Sequence, residues 1–152
     1  MSDAQAAIAE MLREVVEGVD FDSAAQVLKS VTAAKAVVVP DGCPYSIATN
    51  VAHTEQWQRS WLNQLKGLPR FDVYRDAKDF PIVAESEWPA IRKAFVEGLE
   101  DAYAIACATP FAHHVKDEAA AFKRLTKIAL HASYHLGQIK LLKRILYAQG
   151  KK

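Results

Sequence analysis

Apolar residues recur along this chain with the period of a helix. Ile8, Met11, Leu12, Val15 and Val16 form an i, i+3, i+4, i+7 stripe, which predicts a first helix from about Asp3 to Gly18. Ser23 and Thr32 are N-cap residue types, and short helical pieces are expected after each before Pro40 breaks the pattern. The run Pro40-Asp41-Gly42-Cys43-Pro44 reads as a turn-rich loop. Ser46 then caps a second long helix that lasts to about Lys66, where Gly67 and Pro69 stop it. Residues 68–85, with three aromatics and two prolines among many charges, read as an irregular crossover. A third helix is expected from about Glu87 to Ala108, with Ser86 as its N-cap, Pro89 tolerated in its first turn and Pro110 beyond its end. The fourth, about Glu118 to Ala148, holds no proline and only Gly137 inside, and Gly150 follows as a stop signal. Val37-Val38-Val39 is the one strand-like run, too little to build a sheet. Four long helices with a long connection or two make an all-α four-helix bundle the economical expectation.

Composition narrows the class. The 152 residues suit one domain with one substantial core, expected over residues 1–152. Hydrophobic residues make up 51% and charged residues 24%, the proportions of a soluble globular protein. A net charge of +1 argues against nucleic acid or an anionic membrane as the main partner. The longest apolar run, Ala102 to Ala108, is far too short to span a bilayer. The opening MSDAQAAIAEMLREV lacks the basic start and apolar run of a signal peptide. Two cysteines, Cys43 and Cys107, are no disulfide framework, and reduced thiols in a cytoplasmic protein are the expectation.

Candidate chemistry lies in three histidines. His131 and His135 stand four apart, just over one helical turn, so both project from one face of the fourth helix. With His131 as zero and about 100° per residue, His135 falls near about 40°, Leu142 near about 20°, Ile128 near about 60° and Ile139 near about 80°. Ala132, Leu125 and Leu136 follow at about 100–140°, so the apolar arc contains His135 and begins at His131. On the second helix His53 sits at the edge of an arc formed by Trp57, Trp61, Ile47 and Leu65. Two side chains one turn apart can grip one metal ion, and a histidine from a facing helix can complete the grip. Five histidines produce an accidental i, i+4 pair in roughly one such sequence in eight, so spacing alone leaves core histidines with ordinary partners as the alternative.

The segment His131-Ala132-Ser133-Tyr134-His135-Leu136-Gly137-Gln138-Ile139 resembles the fourth-helix signature of the DinB/YfiT-like superfamily, where a histidine pair precedes a Gly-Gln step. Ser46-Ile47-Ala48-Thr49-Asn50-Val51-Ala52-His53 resembles that family's second-helix entry, and Phe80-Pro81 and Ser86-Glu87-Trp88-Pro89 resemble the crossover and third-helix start of one branch. The likeness extends from about Phe21 to Gly150. It implies a four-helix bundle with one divalent metal, zinc or nickel, held by His53, His131 and His135. It further implies a homodimer and a small-molecule substrate, with a low-molecular-weight thiol such as bacillithiol or mycothiol as co-substrate of a transferase or isomerase.

Three neutral imidazoles leave an ion its full charge and at least one open position, the arrangement of a catalytic zinc site. Water there would give a hydrolase; a thiol, deprotonated by the metal, would give an S-transferase. Glu55 points about 160° away from His53 and is a poor general base, which leans the reading toward a thiolate nucleophile. A third reading is a non-catalytic, stress-related dimeric bundle whose metal site is structural or vestigial. Around the ligands, Gln138 is the candidate to touch substrate and Asn50 the candidate partner of a ligand histidine. Trp57 and Trp61 read as core or pocket wall, Tyr134 as an interhelical or dimer contact, and Gly137 as a close-packing residue. Cys43 is a candidate reactive thiol, and His113 and His114 read as exposed.

Overall fold

The computed structural model describes residues 1–150; the last two residues of the domain expected over 1–152 lie outside the described residues. The chain is all-helical, with no strand among the described residues. The described residues form seven α-helices: α1 (Asp3–Glu17), α2 (Ala24–Leu28), α3 (Ala33–Ala36), α4 (Ile47–Lys66), α5 (Val73–Asp76), α6 (Trp88–Cys107) and α7 (Glu118–Gln149). The four long ones, α1, α4, α6 and α7, pack together: α4 lies against α6 and α7, and α1 against the same two.

Capping side chains fix where the helices begin. The hydroxyls of Ser2, Ser23, Thr32 and Ser46 each accept the backbone N–H three residues on, and Asp117 does the same for α7. Gly18 and Gly67 end α1 and α4 in the left-handed conformation, at φ of 74° and 67°, where a side chain is strained. Gly150 likewise follows the last residue of α7, but at φ −74°, in the right-handed region.

Each long helix buries one face. Leu12 and Val15 of α1, Ile47, Val51 and Leu65 of α4, Trp88, Phe95 and Leu99 of α6, and Leu125, Ile128 and Ile139 of α7 are essentially inaccessible. Truncating a fully buried ring such as Phe95 to alanine costs about 3–5 kcal/mol in a core of this kind. Polar ties reinforce the packing. Gln5 donates its amide Nε2–H groups to the carbonyls of Ala106 and Ala108, at 2.8 and 2.9 Å, satisfying the open end of α6.

Several local expectations are corrected. The crossover between α4 and α6 contains α5, started by Asp72, whose carboxylate accepts from the N–H groups of Tyr74 and Arg75. Ser86 is not the cap of the third helix. It lies inside a 3₁₀ turn over Glu85–Glu87, where the Glu87 carboxylate reaches back to the Ala84 N–H at 2.7 Å, and α6 begins at Trp88. Val37 closes α3 and no strand forms there. Gly137 is exposed, and a methyl group added to it would meet nothing within 4 Å. The close approach is at Gly98 instead, where an added Cβ would stand 1.9 Å from Gln58 Nε2.

A polar seam runs between α4 and α7. Arg124 donates to Gln64 Oε1 at 3.0 and 2.7 Å near one end, and Asn50 donates to Gln138 Oε1 at 3.3 Å toward the other. The histidines lie between these two contacts.

Candidate metal centre

His53 comes from α4, and His131 and His135 come from α7 one turn apart. Their ring nitrogens meet: His53 Nε2 is 3.2 Å and His135 Nε2 is 3.1 Å from His131 Nε2. One ring nitrogen from each residue lies within 4.8 Å of the other two. His53 and His135 are buried, at 5% and 4% exposure, and His131 is half-buried. His53 lies deeper than a margin position because Phe80 of the crossover covers it. The two rings stack with centroids 3.9 Å apart and planes 7° from parallel, and Tyr45 stacks on the far side of Phe80 at 4.4 Å.

Tautomers follow from the partners. His53 Nδ1 faces only acceptors, the Asp79 carbonyl at 2.8 Å and the Asp79 carboxylate Oδ1 at 3.0 Å, so it carries the proton and donates. His135 Nδ1 donates to Asn50 Oδ1 at 2.6 Å. Both rings therefore turn an Nε2 lone pair inward, toward His131 Nε2. Of the six ring nitrogens, His131 Nδ1 alone is buried without a partner.

Electrostatics keeps the two α7 histidines neutral. Burial, then the neighbouring imidazoles of His135 and His53, push His131 down to about 3. Burial, followed by the His53 ring, lowers His135 to about 4. Both rings are thus unprotonated near pH 7, the form in which imidazole binds a metal.

The donor set fits a divalent ion. Tetrahedral coordination with metal–nitrogen bonds of about 2.0–2.1 Å separates ligand nitrogens by about 3.3 Å. The two contacts at 3.1 and 3.2 Å are close to that spacing. Three His53, His131 and His135 side chains could hold the ion and leave at least one position open.

Other residues fall as follows. Asn50 is buried and joins His135 to Gln138 through its two amide atoms. Glu55 faces away from the cluster and pairs with Arg59 at 3.2 Å, its carboxyl raised by burial. Trp61 presents an edge to His131 with centroids 5.5 Å apart, and Tyr134, 65% exposed, meets the His135 ring edge-on at 5.0 Å. Trp57 donates its indole N–H to Asp79 Oδ1 at 2.8 Å. Cys43 and Cys107 are both free thiols. His113 makes a local contact to the Val115 carbonyl, and His114 is exposed and outside the cluster.

Asp79 and Phe80 are the residues that sequence reasoning missed as parts of the site. They lie in the non-periodic crossover, where no helical wheel applies, and only the folded path of residues 68–85 brings them onto His53. No helix among the described residues is long and apolar enough to cross a membrane. Comparison of the chain with family models, with curated proteins and with solved structures finds no match.

Proposed function

We propose that this chain is a metal-dependent S-transferase built on a four-helix bundle of the DinB/YfiT-like type, with His53, His131 and His135 holding one zinc or nickel ion. The observation that carries this reading is the convergence of three imidazole Nε2 atoms in one buried seam between α4 and α7. A divalent ion bound there would supply Lewis acidity and turn a small thiol into a thiolate nucleophile at neutral pH.

The chain's own residues do the rest. Asp79 and Asn50 hold two of the ligand rings in the tautomer that frees Nε2. Phe80 and Trp61 wall the cluster against water. Gln138, half-buried and tied to Asn50, is the amide assigned to contact with substrate. Asp79 Oδ1 is engaged by His53 and Trp57 on the outer side of the ring, and no carboxylate stands beside the inward nitrogens to activate water, which favours thiol transfer over hydrolysis. The likeness to the DinB/YfiT-like superfamily supports a homodimer and a low-molecular-weight thiol as co-substrate.

Elemental analysis of protein purified without a histidine tag tests the metal. About one ion per chain is expected in the wild type and almost none in His135→Ala. Equal, negligible metal in both overturns the reading. Turnover of a small thiol with a generic electrophile should then follow metal content; turnover that survives chelation refutes the transferase assignment.

A further inference from the structure

We propose that Asp79 is the positioning residue of this centre, acting through His53 by its negative charge and not merely by its hydrogen bond; the inference rests on the metal reading above. The backbone carbonyl of Asp79 at 2.8 Å already suffices to hold the proton on His53 Nδ1. The carboxylate Oδ1 stands 3.0 Å from the same nitrogen as an ion-pair contact and is surplus for fixing the tautomer. What it adds is a full negative charge against the ring.

That charge is deliberately aimed. Trp57 lies one turn beyond His53 on α4, and its indole N–H holds Asp79 Oδ1 at 2.8 Å. The Asp79 side chain is 31% exposed, so part of its hydration has been given up for these two donors. Phe80, the next residue, lies flat on the His53 ring and fixes its plane. The carboxylate approaches the outer edge of the ring and is not among the atoms that converge on the inner side, so it is no fourth ligand.

A carboxylate that draws on the Nδ1 proton makes the opposite nitrogen a stronger donor to a cation. The three ligands are therefore unequal: His53 is backed by an anion, His135 by the neutral amide of Asn50, and His131 by nothing. His53 is the anchor of the set.

Competition between the untagged protein and a zinc chelator measures the effect. Asp79→Asn keeps an oxygen for the Trp57 N–H, leaves the backbone carbonyl on His53 Nδ1 and removes the charge, and zinc affinity should fall about 10- to 100-fold. Trp57→Phe frees the carboxylate to swing out and should weaken zinc in the same direction by less. Added to Asp79→Asn, it should change nothing further. Metal-free melting curves establish that each variant is folded, and nitrogen-15 shifts should show the His53 proton still on Nδ1 in Asp79→Ala, held by the backbone carbonyl. Wild-type affinity in Asp79→Asn overturns the proposal and leaves the metal reading intact. Failure of the wild type itself to take up zinc overturns both. If Asp79→Asn does not fold, Trp57→Phe decides alone: weakened zinc supports the role, and unchanged zinc refutes it.

Discussion

Replacing Asn50 by leucine removes the acceptor of His135 while keeping a branched side chain of the same number of heavy atoms, so the cavity penalty of an alanine is avoided. Asn50 is 2% exposed and His135 4%, and no water can take over the 2.6 Å contact without opening the α4–α7 seam. A buried donor left unpaired costs about 1–3 kcal/mol. The second bond of Asn50, to Gln138 at 3.3 Å, is long and its partner is half-buried, so its loss adds little. A metal-free loss of about 2 kcal/mol is expected, which in urea, at a slope of about 2 kcal/mol per molar, lowers the midpoint by about 1 M. The diagnostic arm repeats Asn50→Leu in a His135→Leu background. With both polar partners gone nothing is orphaned, and the cost should shrink toward zero. A coupling of about 1–3 kcal/mol between the two sites is therefore predicted. Equal losses in the two backgrounds, additive within about 0.5 kcal/mol, would refute the contact as drawn.

Three further outcomes follow from the same geometry. Zinc at about 100 times its dissociation constant should add about 2.7 kcal/mol of stability and raise the melting temperature by roughly 5–11 °C. A shift of equal size in His53→Ala would place the ion elsewhere. Metal-free stability should be complete above pH 6.5, where an unfolded histidine is neutral, and should decline as pH falls toward about 4 and then about 3. The sign holds because the unfolded chain takes up protons that folded His131 and His135 refuse; a His131→Leu/His135→Leu variant with the same slope in that window would contradict it. Two glycines should respond oppositely in thermal melts. Gly137→Ala, on an open face of α7, should stabilise by up to about 1 kcal/mol, whereas Gly98→Ala should destabilise by about 1–3 kcal/mol by driving into Gln58. Shifts of the same sign would contradict the packing.

The pattern of apolar positions made the helices legible because each long one buries a single face. Leu12 and Val15, or Leu125, Ile128 and Ile139, recur at helical spacing and point inward. Side-chain caps such as Ser46 were legible for a related reason, since their chemistry is local. What failed depended on contacts distant in sequence or on competition among neighbours. Ser86 has a capping hydroxyl, yet Glu87 reaches the Ala84 N–H and the turn tightens around it. Gly137 and Gly98 look alike as glycines within helices, and only the neighbouring helix tells them apart. His53, His131 and His135 were readable as inward-leaning rings, while Asp79 was not, because its position is set by where an eighteen-residue crossover (residues 68–85) comes to rest.

The cluster also makes an argument by its cost. Three imidazoles in the seam between α4 and α7 bring six ring nitrogens together, and one of them, His131 Nδ1, is buried with no partner. An orphaned polar atom of this kind costs about 1–3 kcal/mol. The inward lone pairs of His53 and His135 can share at most one proton, that of His131 Nε2, so without a cation one of them is poorly satisfied. Leucine at the same three places, with leucine also at Asn50, would fill the seam without ring nitrogens to satisfy. As packing the arrangement is inferior to what surrounds it. As a cage for one positive ion every inward nitrogen would have a use, and the contacts from Asp79 and Asn50, which satisfy the outer nitrogens in either case, would also hold the rings in the tautomer that the cage requires.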